Sequence, residues 1–416
     1  MTIVSRKPTL LFLINSLAAG GAERQLSVLA RGMDSTRFDI HVVVLYDPGY
    51  HNRGELWPDL ARIPGVSLHS LHKRKGILGY ITALPRLARL VRRTKPDLLH
   101  GYLQGNLAVL LIGRALRKPV IWGIRRTSAD LTMLDGLSRG LLRAEVLLSR
   151  FTDLIIFNSE AGFQNHLAMG MRGPRMKVVP NGFDTERFRP DPASGLAQRK
   201  AWGFPEGIPL IGIAGRLDPV KDHPTFLCMA ARLGRSMGEA RFVCLGDGPR
   251  DYKEHLQSMA ADLGLGDRVL WPGVCLDMPS AYNALSLLAL TSADEGFPNV
   301  LGEAMACGIP CLSTPAGDAA RLIGNSGEVC GFGDDEAFAE AAVSLLTESA
   351  ETRSLRAGAC RARVVNFFSI KALVKETEAA LLEVLQKTPP LPPPVNDQEP
   401  GPGPGDPNSA FHVSRG

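Results

Sequence analysis

The chain has 416 residues, 45% of them hydrophobic and 21% charged, a length and balance that suit two globular domains and exclude a disordered or fibrous chain. Its net charge of +5 hides an asymmetry: residues 1–190 hold 28 Lys and Arg against 14 Asp and Glu, while the remainder holds 19 against 28. A basic first half invites an anionic partner such as membrane lipid, an ordinary solvated basic face being the alternative.

Thr9–Ile14 is a continuous apolar run of the kind found in a parallel strand covered on both faces. It is too short, and too soon followed by Gly20-Gly21, for a signal peptide or membrane span, and no later run reaches spanning length. The sequence therefore predicts a cytoplasmic protein. The pair Gly20-Gly21 lies between this strand and a helix at Ala22–Arg31, where the backbone can approach a ligand beside helix-terminal N–H groups. Glu23 and Arg24 read as helix-surface residues.

Strands follow at Ile40–Leu45, Val66–Leu71, Asp97–His100, Val120–Ile124 and Leu154–Phe157, with helical patterns between most of them. This alternation predicts an open, doubly wound parallel sheet, in which ligands bind beyond the carboxyl ends of the strands. His100, Arg125-Arg126-Thr127 and Asn158-Ser159-Glu160 fall at such ends. Residues 73–95 are basic and partly amphipathic: Ile77, Ile81, Leu84, Ala88 and Val91 recur at helical spacing among Arg86, Arg89, Arg92 and Arg93. Such a helix can pack on the sheet and show a basic edge to anionic lipid, or simply to solvent. No aromatic-interleaved basic motif points to nucleic acid.

Asn181-Gly182 predicts a turn with positive φ, and residues 185–207, with Pro190, Pro192, Gly195 and Pro205, read as a linker. A second alternating series starts at Pro209–Ala214, followed by Gly215-Arg216-Leu217-Asp218-Pro219-Val220-Lys221. Two cations placed after a strand suit an anionic group, Arg as a bidentate partner and Lys as a point charge. Arg241–Leu245 leads into Gly246-Asp247-Gly248-Pro249, and Val269–Pro272 into Gly273. All seven cysteines fall between Cys228 and Cys360 with no CxxC, which predicts reduced thiols rather than a disulfide or zinc site.

After the apolar strand Leu285–Leu290 comes EGFPNVLGEAMACGIP, Glu295–Pro310. Its loop opens a helix near Pro298 and Cys307-Gly308 closes it. The first turn of that helix offers free N–H groups and a positive dipole end to an anion. Glu295 and Glu303 bracket this site with carboxylates that accept hydroxyl groups. Asp334-Asp335 reads as a helix N-cap. Helices are expected at 334–347, 350–365 and 369–386, and the tail from Thr388 is too rich in proline and glycine to order.

The phrase Glu295–Pro310, with Gly215–Lys221, Gly246–Pro249 and Lys177–Asp184, resembles the retaining glycosyltransferases of the large GT4 family. The resemblance runs from Leu10 to Gln386 and is strongest in residues 209–323. It implies an α/β chain of GT-B architecture, two Rossmann-like doubly wound parallel-sheet domains facing a central cleft. Residues 1–190 would form the acceptor-side domain, 191–207 a linker, 208–367 the donor domain and 368–387 a helix crossing back, with 388–416 disordered.

By the same resemblance the substrates are a UDP- or GDP-sugar and a glycan or lipid-linked acceptor, with no metal or other cofactor. Arg216 and Lys221 would hold the diphosphate, helped by N–H groups around Gly296, Phe297, Pro298 and Asn299. Glu303 would bind the ribose, Glu295 the donor sugar, and Gly20, Gly21, Gly246 and Gly248 the cleft wall. Where many members carry a histidine, this chain has Arg125 and Arg126. Arginine is no general base, so both are expected to act electrostatically near the donor, Arg126 as a catalytic residue, with His100, Arg125 and Asn158 as acceptor-side candidates. A sugar-nucleotide epimerase or phosphorylase, or a silent nucleotide-sugar-binding protein, remain the competing readings.

Overall fold

The structure, a computed structural model, describes residues 6–18, 20–47, 54–76, 78–125 and 136–387. Strands β1 (Thr9–Ile14), β2 (Asp39–Val44), β3 (Val66–Ser70), β4 (Leu98–Tyr102), β5 (Val120–Ile124), β6 (Leu154–Phe157) and β7 (Met176–Val178) form one parallel sheet, ordered β3-β2-β1-β4-β5-β6-β7. Strands β8 (Leu210–Ala214), β9 (Arg241–Leu245), β10 (Val269–Gly273), β11 (Leu287–Leu290), β12 (Cys311–Ser313) and β13 (Glu328–Val329) form a second, ordered β10-β9-β8-β11-β12-β13. The central strands β1, β4, β8 and β11 are buried at every position, because helices cover both faces, which is why their sequences run apolar without alternation. Each sheet changes winding direction once, between β1 and β4 and between β8 and β11.

The two lobes are joined where Phe183 and Ser369 pair, with the Phe183 N–H donating to the Phe368 carbonyl (2.8 Å) and the Ile370 N–H to the Phe183 carbonyl (3.0 Å). From there the helix Ile370–Lys387 lies on the first lobe, burying Leu373, Ala380, Leu381 and Val384 in the core that holds Leu10, Phe12 and Leu26. Asp334 caps the helix Asp335–Leu346 by accepting from the Ala337 N–H (3.0 Å). All seven cysteines are free thiols. Among the described residues no helix is long and apolar enough to cross a membrane.

Four expectations are corrected. Part of the supposed linker is a helix, Pro192–Ala201, begun by proline in its first turn and capped by Asp191 accepting from the Ser194 N–H (3.1 Å). Neither Asn181 nor Gly182 has positive φ. Gly182 is needed instead for close approach, since a Cβ there would lie 2.8 Å from that of Leu373 on the crossing helix. The helix Gly79–Thr94 buries Ala83, Leu87, Leu90 and Val91, leaving Ile81 67% exposed. Its rotation is held by Arg86, whose guanidinium donates to the carbonyls of Leu71 (2.8 Å) and His72 (3.1 Å) after β3. Ile77 lies outside the described residues. Finally, β4 runs on to Tyr102, so His100 sits within the sheet and not at its end.

Candidate active site

The loops that follow β1, β5, β6, β8, β9, β10 and β11 converge on one cleft of about 510 Å³ between the lobes. Both points where the sheets change winding direction open into it, the place where doubly wound sheets bind ligands. The loops of the second lobe are stitched together by their backbones. The Gly215 N–H donates to the Leu245 carbonyl (2.9 Å), Leu217 to Asp247 (3.0 Å) and Gly246 to Gly273 (2.9 Å). Gly246, at φ +135°, lies so close to this neighbour that a Cβ would fall 1.9 Å from the Gly215 carbonyl oxygen.

Arg216 stands at the rim, its side chain 81% exposed and paired with Asp218 at 3.0 Å. Lys221 ends the short turn Pro219–Lys221, and Asp222 follows in the left-handed conformation, capping the helix His223–Ser236. This abrupt change of direction sends Lys221 into the cleft. Its Nζ lies 2.5 Å from Glu295 Oε1, which also accepts from Ser292 Oγ at 2.8 Å.

The helix Asn299–Ala306 has no side-chain cap at its N-terminus, so its first N–H groups and dipole face the cleft. The Phe297 ring, by contrast, turns into the core against Phe183 and Phe368. Four residues into the helix, Glu303 borders the cleft and its Oε2 accepts from the Tyr282 hydroxyl at 2.9 Å. Burial pushes the Glu303 carboxyl above its ordinary range, while the Tyr282 hydrogen bond, Arg24 and Arg187 oppose the rise.

From the first lobe, the helix Gly21–Gly32 also starts without a side-chain cap, at Gly20. Gly21 faces Asn299 so closely that a Cβ would lie 3.3 Å from the Asn299 amide nitrogen. Two helix N-termini thus meet across the cleft, with the first-turn Glu23 carboxylate lying against Gly20 at the start of the first. Asn181 bridges the lobes, its Nδ2 donating to Asn299 Oδ1 at 2.8 Å. Arg125 stacks on the Tyr102 ring at 4.9 Å and reaches Asn181 Oδ1 at 3.4 Å.

Of the residues expected from sequence, the cleft collects Gly20, Gly21, Arg125, Asn158, Arg216, Lys221, Gly246, Glu295, Gly296, Phe297, Pro298, Asn299 and Glu303. Gly248 is absent from the lining, packed where a Cβ would meet the Leu217 carbonyl at 2.3 Å. His100 is fully buried between Phe12 and Tyr102 and does not reach the cleft, and its imidazole is held far below its ordinary pKa by burial and then by Arg125. Arg126 lies outside the described residues. Sequence reasoning missed Arg24, Asn181 and Tyr282, which all line the cleft. The position of Arg24 one turn beyond Gly20-Gly21 was a usable signal, whereas Tyr282 sits on an unremarked short helix, Met278–Ala284, that only the fold brings behind Glu303. No group of three or more His, Cys, Asp or Glu able to hold a metal occurs among the described residues.

Two doubly wound parallel sheets closing on a shared cleft define the GT-B class. The fold superposes on the crystal structure of Anabaena HepE in complex with UDP-glucose with a TM-score of 0.76 at 24% identity, over 90% of this chain and 99% of that one. The sequence matches Glycosyltransferase Family 4 over residues 19–187 and Glycosyl transferases group 1 over residues 208–348. The chain belongs to this glycosyltransferase family. The D-inositol 3-phosphate glycosyltransferase of Stackebrandtia nassauensis is 31% identical over 197 residues, 44% of each chain. The UDP-Gal:alpha-D-GlcNAc-diphosphoundecaprenol alpha-1,3-galactosyltransferase of Escherichia coli is 27% identical over 218 residues, 51% of this chain and 55% of its own. The chain spans about half the length of these curated relatives.

Proposed function

We propose that the chain is a retaining glycosyltransferase that moves a sugar from a UDP- or GDP-sugar to a hydroxyl of a glycan or lipid-linked acceptor. The biosynthesis of a cell-surface polysaccharide or lipopolysaccharide is the setting we assign. The observation that carries this reading is the meeting of two helix N-termini over a cleft that also receives Lys221, Arg216, Glu295 and Glu303. Such a site suits a diphosphate flanked by sugar hydroxyls on either side.

In this reading Arg216, Lys221 and the N–H groups of Gly296–Asn299 hold the diphosphate as its bond to the sugar breaks, stabilising charge that develops in the transition state. Glu303 accepts from the ribose hydroxyls and Glu295 from the donor sugar. The acceptor hydroxyl attacks from the face the diphosphate leaves. Its proton passes to the departing phosphate oxygen, so no side-chain base is required and configuration is kept. The cations and helix termini supply the positive charge, and no metal or further cofactor enters the scheme. Arg125 and Asn158 are assigned to the acceptor side, and Arg126 to electrostatic support of the reacting donor.

A panel of nucleotide sugars assayed by nucleotide release, with and without lipid-linked acceptors, tests the reading. Acceptor-dependent release of UDP or GDP with an unchanged anomeric centre is expected. Isomerised sugar nucleotide without acceptor would mark an epimerase, and no turnover with any donor would mark a silent binding protein.

We further infer that the first lobe rests on the inner face of the cell membrane through residues 73–95. Leu78 is 73% and Ile81 67% exposed, beside the exposed basic residues Arg74 and Lys75. Sedimentation with vesicles containing anionic lipid should be weakened by Ile81→Glu. Equal binding by both proteins would remove the membrane assignment.

A further inference from the structure

We propose that Asp318 is a positioning residue that ties closure of the two lobes to the placement of Glu295. Asp318 belongs to the second lobe, after β12, and is 4% exposed. Its carboxylate nevertheless caps a helix of the first lobe: Oδ2 accepts from the Glu160 N–H and Oδ1 from the Ala161 N–H, both at 2.9 Å, at the start of Glu160–Ala168. Ser159 Oγ takes the next donor, Gly162, at 3.0 Å, so this helix end is satisfied only when the other lobe is in place. A charge shared between two helix-terminal N–H groups and the positive end of a helix is a directional, charge-assisted contact.

The same residue is fastened to the loop that carries Glu295. The Asp318 N–H donates to the Gly296 carbonyl at 3.1 Å. Gly317, in the left-handed region at φ +56°, lies on that loop so tightly that a Cβ would sit 2.2 Å from the Glu295 carbonyl oxygen and 2.5 Å from that of Gly296. One short segment therefore grips the Glu295–Gly296 peptide with its backbone and the opposite lobe with its side chain. The helix it caps follows directly on Asn158, a lining residue of the cleft. Opening the lobes breaks the two cap bonds, yet Arg321, on the same lobe and 3.2 Å from Asp318 Oδ2 in the closed arrangement, offers the charge a partner, so the latch can open and close reversibly. Closure and correct placement of Glu295 become one event, which rests on the reading of the cleft as a donor-sugar site.

The test is Asp318→Ala, with Asp318→Asn as the conservative variant that keeps an acceptor. Amide hydrogen exchange is followed in residues 159–164, and donor-nucleotide binding by calorimetry is set against kcat. In Asp318→Ala, exchange at Glu160 and Ala161 should accelerate at least about tenfold, with β5 and β6 unchanged. The nucleotide Kd should stay within about threefold while kcat falls at least about tenfold, and Asp318→Asn should fall between the two. Unaltered exchange at Glu160 and Ala161 in a folded Asp318→Ala protein overturns the latch. Accelerated exchange with undiminished kcat overturns its link to Glu295. If the unaltered protein transfers no sugar, the functional reading falls by itself, and the exchange result still decides the latch.

Discussion

Lys221 Nζ and Glu295 Oε1 stand 2.5 Å apart, with the two side chains 22% and 13% exposed. The two groups assigned to opposite parts of the donor, diphosphate and sugar, thus hold each other before any ligand arrives. Each side chain has hydrogen-bonding capacity left over, two of the ammonium's three donors and the second carboxylate oxygen, so the pair can bind a donor without parting. Pre-organisation of this kind keeps the reorganisation needed for catalysis small.

Replacing Lys221 by Met leaves the Glu295 carboxylate without its cation and the diphosphate without its point charge. Turnover measured by nucleotide release should fall by about 10²–10³, and urea unfolding should show a loss of roughly 1–3 kcal/mol from the unpaired group. Turnover within threefold of the unaltered protein would falsify the role of Lys221.

The Tyr282–Glu303 hydrogen bond fixes the carboxylate proposed to accept ribose hydroxyls, and Tyr282→Phe removes it without changing the shape of the core. Donor affinity measured by calorimetry should weaken about tenfold, in line with a bond to a charged group. Because that bond opposes the burial-driven rise of the Glu303 carboxyl, the acid limb of donor binding should move to higher pH in Tyr282→Phe. A raised carboxyl contributes stability below its unfolded pKa that is lost as pH rises through the folded one. Glu303→Gln should therefore bind donor poorly at neutral pH while unfolding no more readily there. A neutral-pH destabilisation with intact donor binding would reverse the assignment.

Gly302 precedes Glu303 on the same helix, and a Cβ at this position would lie 2.1 Å from the ring of Phe183, which is 3% exposed. Alanine ordinarily improves a helix by roughly 0.5–1 kcal/mol over glycine. Overpacking at a closed contact costs about 1–3 kcal/mol and should win. Gly302→Ala is expected to shift the urea midpoint downward, and an upward shift would show that the Phe183 ring yields.

His223, next to Asp222 and two residues beyond Lys221, has its pKa pushed down to about 4 from 6.5, by burial first and by Lys221 second. The unfolded chain takes up a proton near 6.5 and the folded one only near 4, so the unfolded state binds more protons across that window. Stability should be full above about pH 6.5 and fall as pH drops towards about 4. His223→Leu should flatten part of that decline in denaturation curves taken at several pH values. Parallel curves for the two proteins would count against a buried neutral imidazole.

The sequence by itself determined what is local. Uninterrupted apolar runs dictated buried parallel strands, and the glycines and proline of Glu295–Pro310 dictated a loop, an open helix start and a closed helix end. Those signals lie within a few residues of one another, where backbone sterics and hydrogen-bond periodicity act directly. Position at a strand end was a weaker guide: it found Arg125 and Asn158, yet failed for His100 because β4 runs two residues further than its composition indicates. What only the tertiary structure decided is which distant groups meet. Tyr282 behind Glu303 depends on how two helices of the second lobe pack, whereas Asn181 against Asn299 and Asp318 on the helix start at Glu160 depend on how one lobe docks on the other. No periodicity in the chain encodes such contacts, because they arise from the shapes of two finished cores and the angle at which the paired crossing at Phe183 and Ser369 holds them.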